Sequence, residues 1–312
     1  MKRIEDQRFG VEIELTGITR KNASNIIAKH FGTMNNHDGG SYDKWTATDR
    51  FGRKWQCMSD GSIHCTRKVA GCQVATASSE YSCEVVTPIL RYQDMDDLQE
   101  VIRKLRKAGA VANTSTGIHV HVDADDATPE SLTRLMTFAI GRQDLFYEAL
   151  EIGSRANHWC QKMDRRLMAA MQNTDIETMD EMKRIYYSSV NGGYSDGIST
   201  YHYCSARYRG INLHSFFTGK GIEFRLFNGT THAGKIKSYV QFCLAMYTWS
   251  INCESDPKKL YFKKITHLTG EQKGKLMRNM MKNRLGMKGP EFKTARTLLS
   301  ETFPTGVQAT VA

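Results

Sequence analysis

TGIHVHVDA, residues 116–124, sets His119, His121 and Asp123 at every second position, with Ile118, Val120 and Val122 between them. In an extended strand successive side chains point to opposite faces, so this segment has one apolar face and one face of ionisable groups. Alone, it reads equally well as a half-buried strand whose polar side meets water. Two further segments shift that balance. In RFGVEIELTG, residues 8–17, Glu12 and Glu14 alternate with Val11, Ile13 and Leu15. In GIEFRLFNGT, residues 221–230, Glu223 and Arg225 alternate with Ile222, Phe224 and Leu226. Each predicted strand has an apolar back and an ionisable front.

If the three fronts line one concave surface, three glutamates, two histidines and an arginine meet there. Carboxylates packed that closely repel unless a cation lies among them. An oxygen-rich donor set suits Mg²⁺ or Mn²⁺, which commonly keep nucleotide phosphates as their remaining ligands. Arg225 then reads as a phosphate clamp. Same-face neighbours on a strand stand roughly 6.5–7 Å apart, so Glu12 and Glu14 hold two metals more readily than they share one. The pattern predicts a bed for a metal-bound polyphosphate.

Composition sets the frame around this site. The chain has 312 residues, 40% of them hydrophobic, enough core material for one large domain or two small ones. It has no apolar run of 18 residues, and its start, MKRIEDQRFGVEIEL, lacks the apolar core of a secretory signal, so a cytoplasmic protein with no membrane segment is expected. Eight cysteines without a CxxC pair or tight Cys/His spacing read as scattered reduced thiols. The formal net charge is +10, and lysines and arginines crowd residues 258–289, KKLYFKKITHLTGEQKGKLMRNMMKNRLGMKG. That stretch is a solvated helical face or, alternatively, a place where nucleic acid binds.

Outward from the three motifs, strands are expected at 8–17, 52–59 and 82–90, which makes the first ninety residues mostly β. Leu98, Val101, Ile102 and Leu105 recur at helical spacing over 95–108, before Gly109 as a C-cap. Thr128 and Pro129 open a long helix, and the pattern stays helical and charged to about residue 190. Residues 191–206 read as a glycine- and serine-punctuated loop. Strands resume at 208–216 and 221–228, and Ile236, Val240, Cys243, Leu244, Tyr247 and Ile251 mark a core helix behind the sheet. The end, 301–312, is expected to fray. The fold class is α+β.

The motifs FGVEIELTG, DGS at 60–62, EVVTPIL at 84–90, TGIHVHVDA, RANHWC at 155–160, RYRGINLHSF at 207–216 and GIEFRLFNGTTH occur in this order between residue 9 and about residue 250. Together they resemble the amidoligase family of the glutamine synthetase-like carboxylate–amine ligases. The resemblance implies a glutamine synthetase-like catalytic domain over 1–255. Its mainly antiparallel curved sheet would be backed by helices, with a helical insertion at about 128–190. A basic helical extension over 256–312 would follow. It further implies that Glu12, His119 and Glu223 hold one metal and Glu14 and Glu84 the other. The superfamily expects one more acidic ligand on the second metal, and none follows Glu84 at the spacing seen in glutamine synthetase; Asp60 is the candidate here. His121 would contact nucleotide and Arg225 phosphate. Arg209, or the nearby Arg207, would make a second phosphate or transition-state contact. Asn212 would satisfy backbone or orient a ligand. Arg155 would receive a substrate carboxylate, unless it makes only a helix-surface salt bridge.

The reaction implied is attack of a carboxylate on the γ-phosphate of ATP, with Mg²⁺ or Mn²⁺, giving an acyl phosphate that an amine opens to an amide. Carboxylate- and amine-bearing substrates, peptides or proteins among them, are the expected partners. Such chemistry needs positioning and charge stabilisation rather than an activated serine or cysteine. Asp60 or a loop acid would serve as the base. Two rivals remain. One is a metal-dependent amide hydrolase, since HxH strands also hold zinc in barrels of repeated βα units, although here the pair follows a β-rich region that already carries Glu12, Glu14 and Glu84. The other is a non-catalytic, basic nucleic-acid-binding protein on a ligase fold.

Overall fold

The computed structural model describes residues 1–69, 73–190, 201 and 203–303, of residue 73 the backbone alone. Most of the loop expected at 191–206, and the end expected to fray beyond 303, lie outside the described residues. The chain divides into two compact units. A sheet unit comprises Glu5–His121 and Phe227–Val240. A helical unit comprises Met1–Ile4, Val122–Leu226 and Gln241–Ala312.

In the sheet unit the alternation seen in the sequence becomes burial. Strand β1 (Arg8–Leu15) hides Phe9, Val11, Ile13 and Leu15, and β9 (Gly117–Val122) beside it hides Ile118 and Val120. The order continues from β1 to β7 (Cys83–Val86), β4 (Lys54–Met58), β3 (Lys44–Thr48) and β2 (Asn35–Gly39). The pairs from β1 to β2 are antiparallel, and β8 (Leu90–Arg91) also pairs with β1. Strands β5 (Thr66–Val69) and β6 (Gln73–Thr76) make a separate hairpin. The segment 82–90 is thus two strands, because Pro88 between them has no N–H to give a ladder.

The reading of the first ninety residues as mostly β needs one correction. Helix α1 (Arg20–Phe31) lies among those strands and packs on β3 and β4. Its limits follow ordinary chemistry: the Thr19 hydroxyl accepts from the Asn22 amide, and Gly32 closes the helix in the left-handed region at φ 71°. The apolar members of its buried face are Ala23, Ile27 and Ala28, too small a stripe to stand out against RKNASN. Helix α2 (Met95–Lys107) buries Leu98, Val101, Ile102 and Leu105 as expected.

Glycine decides one approach in this unit. The Gly229 amide donates to the Thr116 carbonyl at 2.8 Å, and a Cβ on Gly229 would stand 1.9 Å from Thr116 Oγ1. No other residue lets the end of GIEFRLFNG lie against the start of TGIHVHV.

Within the sheet unit a partly buried ion cluster ties the start of α2 to the turn before β4. Arg53 donates Nη1 and Nη2 to the two oxygens of Asp94, at 2.8 and 3.0 Å, and Nε to Asp49 at 2.7 Å. Burial would raise the Asp94 carboxyl, but the Arg53 guanidinium and the Arg91 amide outweigh it and hold it below its ordinary value. Its stabilisation is therefore present above the unfolded carboxylate range near pH 4 and is lost as pH falls through the lower folded value. Asp94→Ala leaves Arg53 half-satisfied, and is expected to lower stability by about 2–3 kcal/mol at pH 7 and by less in acid. Urea unfolding at the two pH values checks this; an equal loss at both would show that the charge is not the cause.

The helical unit grows from α3 (Pro129–Ala149), whose Thr128 hydroxyl accepts from Ser131. Helices α4 (Arg165–Asn173) and α5 (Met179–Val190) follow it, with α4 packed on α3 and on α5. The strand expected at 208–216 is only β10 (Ile211–Asn212), since Asn212 takes the Ser215 amide and starts α6 (Leu213–Phe217). Strand β10 pairs antiparallel with β11 (Ile222–Asn228). The core helix read from the sequence is α7 (Ala233–Asn252), in which Val240, Cys243, Leu244 and Tyr247 are fully buried. After it come α8 (Gly270–Asn279), one wide turn at Met280–Arg284 and α9 (Lys293–Leu298).

Among the described residues no helix is long and apolar enough to cross a membrane. The described cysteines, 57, 65, 83, 160, 204, 243 and 253, are all free thiols, and Cys72 lies outside the described residues. The architecture is α+β, a mainly antiparallel sheet backed by helices.

Candidate functional site

The polar fronts of β1 and β9 meet in the sheet unit. His119 Nδ1 lies 2.9 Å from Glu12 Oε2, and His121 Nε2 lies 3.1 Å from Glu12 Oε1. One carboxylate therefore links both histidines of the HxH strand. Glu14 accepts the Gly117 amide at 2.6 Å, while His119 Nε2 stands 3.7 Å from its other oxygen, beyond hydrogen-bond length. His119 and Glu14 are buried, at 4% and 7% side-chain exposure, whereas Glu12 and His121 reach solvent. The alternate positions of one strand thus differ in depth.

Strand β7 adds the third carboxylate. Its register sets Glu84 opposite Glu14 on β1 and opposite Met58 on β4. The DGS turn sits just past β4: Asp60 Oδ1 accepts the Ser62 amide at 2.6 Å, and Ser82 Oγ bridges the Asp60 amide and carbonyl. Within the sheet unit Glu84 enters two donor groups, each with one ligand atom per residue and all atoms within 4.8 Å of one another. One is Glu12, Glu84 and His119; the other is Glu14, Asp60 and Glu84. Glu84 belongs to both.

The electrostatics of the two groups differ. Burial would raise the Glu12 carboxyl, but the His121 charge and hydrogen bonds from both histidines outweigh it and hold the carboxyl well below the usual range. Glu12 is thus kept ionised, as a ligand must be. In the second group three carboxylates converge, an arrangement that like-charge repulsion disfavours and a hard cation relieves. Both donor sets fit a divalent metal, and their oxygen content suits Mg²⁺ or Mn²⁺ better than Zn²⁺.

The helical unit holds the remaining predicted residues. Glu223 and Arg225, two apart on β11 and both buried, form an ion pair, and Asn212 Nδ2 donates to the other Glu223 oxygen. Asn212 thereby both starts α6 and orients Glu223, two tasks for one amide. Arg225 Nε donates to the Trp159 carbonyl at 3.1 Å. Arg155 is buried, and with Arg225 it opposes the rise that burial imposes on the Cys160 thiol. Arg209 directs Nη1 to Gln161 and the Lys162 carbonyl and Nη2 to the Val190 carbonyl.

Two members of this site carried little signal in the sequence. The sharing of Glu84 follows from strand register alone. The Asn212–Glu223 bond follows from a tight β10–β11 pairing in which these two are direct partners; the spacing N-x₁₀-E gives no hint of it. No curated protein and no solved structure matches the chain. A family model described as putative amidoligase enzyme matches residues 5–247, which takes in every residue named above. The strands that carry these carboxylates and histidines are therefore those of a ligase family, and the chain belongs to that family of putative amidoligase enzymes.

Proposed function

We propose that the protein is an ATP-dependent carboxylate–amine ligase of glutamine synthetase-like fold, working through an acyl phosphate with Mg²⁺ or Mn²⁺. The observation that carries this reading is the pair of carboxylate-rich donor groups built on β1, β4, β7 and β9 around a shared Glu84. Glu12, His119 and Glu84 would hold one metal, with Glu14, Asp60 and Glu84 for the second. Glu223 is assigned to the first metal and Arg225 to the phosphates by the resemblance of their strand. The metals would supply positive charge against the triphosphate.

In the chemistry proposed, a substrate carboxylate oxygen forms a bond to the γ-phosphorus and the bond to ADP breaks. The amine nitrogen then bonds to the acyl carbon, inorganic phosphate leaves with the old carbon–oxygen pair, and one ammonium proton passes to a base. What the chain's own residues do is orient and hold charge. Glu12 aligns both imidazoles, and Asn212 fixes the Glu223 carboxylate. Asp60, standing with Glu14 and Glu84, is better suited to a ligand's role than to the base's. Arg155 is assigned to a substrate carboxylate. Arg209 as a second phosphate contact would have to release Gln161 and the Lys162 and Val190 carbonyls. Substrates bearing carboxylates and amines, peptides and proteins among them, are the partners. The oxygen-rich donor sets favour this reading over a zinc hydrolase.

The test separates the two histidines. With ADP release followed over pooled carboxylates and amines, His119→Ala is expected to lower turnover about a hundredfold, with partial recovery at high Mn²⁺. His121→Ala is expected to raise the KM for ATP about tenfold with little change in metal dependence. Full activity in both variants would sink the site. Copurified zinc with ATP-independent amide hydrolysis would replace the ligase by a hydrolase.

A further inference from the structure

Beyond the matched residues, the helical unit carries a second chemical feature. Helix α8 does not end in an ordinary cap but runs into the wide turn Met280–Arg284, closed by the Leu285 amide on the Met280 carbonyl at 3.0 Å. Such turns are rare, cost helical regularity, and recur at functional sites. This one lines a cavity of about 530 Å³ with Asn283 and Arg284, joined by Asn279 of α8, Trp249, Tyr261 and, from α3, Arg142. That volume lies within the range of small-molecule sites.

The charge inside is of one sign. Arg142 stacks on the Phe262 ring at 5.0 Å, and Arg284 stacks on the same ring at 5.5 Å and on Trp249 at 5.7 Å. Arg142 gives Nη1 to the Lys263 carbonyl, and among the described residues no carboxylate pairs with either guanidinium. Burial, and then the Arg284 charge, pull Arg142 down from its ordinary value. Arg142 is half-buried and Arg284 exposed; two like charges on one ring are unfavourable in themselves, and a dianion between them reduces the penalty. Guanidinium edges and two asparagine amides are the donors phosphate takes. Tyr261, 80% exposed, offers a flat apolar wall at the mouth. A single carboxylate would match only one of the two charges.

We propose that this cavity binds a phosphate monoester carried on a flat aromatic ring, in chemistry a nucleoside monophosphate, with the phosphate between Arg142 and Arg284 and the ring against Tyr261. Free nucleotide and the 5′-phosphorylated end of a single strand share this chemistry. The site needs no metal and stands whether or not the ligase reading does.

Calorimetric titration of the full chain in chelator, with AMP, adenosine and inorganic phosphate as probes, tests it. AMP is expected to bind at least about tenfold tighter than adenosine or phosphate. Asn283→Glu, at an exposed position, places a carboxylate in the cavity without removing packing, and is expected to lose at least about tenfold. Arg284→Met, which keeps an apolar arm on the aromatic rings, is expected to lose as much. Glu12→Gln is expected to bind AMP as the wild type does, which separates this cavity from the sheet unit's site. A 5′-phosphorylated trinucleotide that binds tighter than AMP identifies a strand end as the ligand; equal or weaker binding identifies free nucleotide. Adenosine binding as well as AMP, no AMP binding at millimolar concentration, or unchanged affinity in Asn283→Glu and Arg284→Met would overturn the proposal.

Discussion

Glu12→Gln is expected to abolish ATP turnover, by about 10³-fold or more, while the protein remains folded. The substitution keeps size and one acceptor but removes the charge that faces His119 and His121 at 2.9 and 3.1 Å. A loss of that size is about 4 kcal/mol of transition-state stabilisation, within reach of a group that both binds a metal and orients two imidazoles. Stability should move in a defined direction as well. Because the folded Glu12 carboxyl titrates well below its ordinary value, its charge stabilises the protein at pH 7. That contribution fades as pH falls below the usual carboxylate range and through the folded value. The variant should therefore be less stable than wild type at pH 7, and the gap should narrow in acid. Activity assays and urea unfolding at both pH values check the two halves. Turnover within tenfold of wild type would remove Glu12 from the chemistry.

The second large effect belongs to Glu14, Asp60 and Glu84, and it has the opposite sign for the metal-free protein. Three carboxylates within 4.8 Å repel, so excess Mg²⁺ or Mn²⁺ should raise stability by about 2.7 kcal/mol when its concentration is about a hundred times the dissociation constant. For a chain of this size that corresponds to roughly 5 °C in Tm. Asp60→Asn keeps the oxygen that accepts the Ser62 amide and removes one charge. In chelator this variant should melt above wild type, and on adding metal it should gain little. Thermal scans of both proteins with and without chelator decide the matter: a wild type indifferent to metal, or a variant with the full shift, would dismiss the second group as a metal site.

The strands that carry these groups were legible because one face of each is buried and side-chain period is strict in a sheet. Phe9, Val11, Ile13 and Leu15 could alternate with charge for no other reason. Helix α1 was less legible, since its stripe of Ala23, Ile27 and Ala28 is weak and its limits depend on the Thr19 and Gly32 caps. The nine residues 208–216, YRGINLHSF, read as one strand, whereas only Ile211–Asn212 pair as β10, because Asn212 ends the extended run by capping α6. Long-range approaches were not legible at all. Nothing near Gly229 in the chain announces Thr116, and nothing near Arg209 announces the Val190 carbonyl. The cavity at the wide turn escaped for a related reason: residues 258–289 read as a uniformly charged stretch, while only Arg284 of their basic residues lies on the aromatic rings and in the cavity with Arg142.

The place of Glu84 in both donor groups has a consequence of its own. A carboxylate common to two sites cannot be filled at one without altering the other, so occupancy is a property of the pair. If both groups take a cation, the first to enter would change the free energy of the second entry, and by linkage the second would change the first by the same factor. If one oxygen of Glu84 serves each site, the first cation pre-orients the carboxylate for its neighbour and loading becomes cooperative. If both oxygens turn to one site, loading becomes antagonistic. Either way the enzyme would answer to divalent-ion concentration over a range narrower or broader than a single hyperbola, with the sign set by the rotation of one side chain on β7.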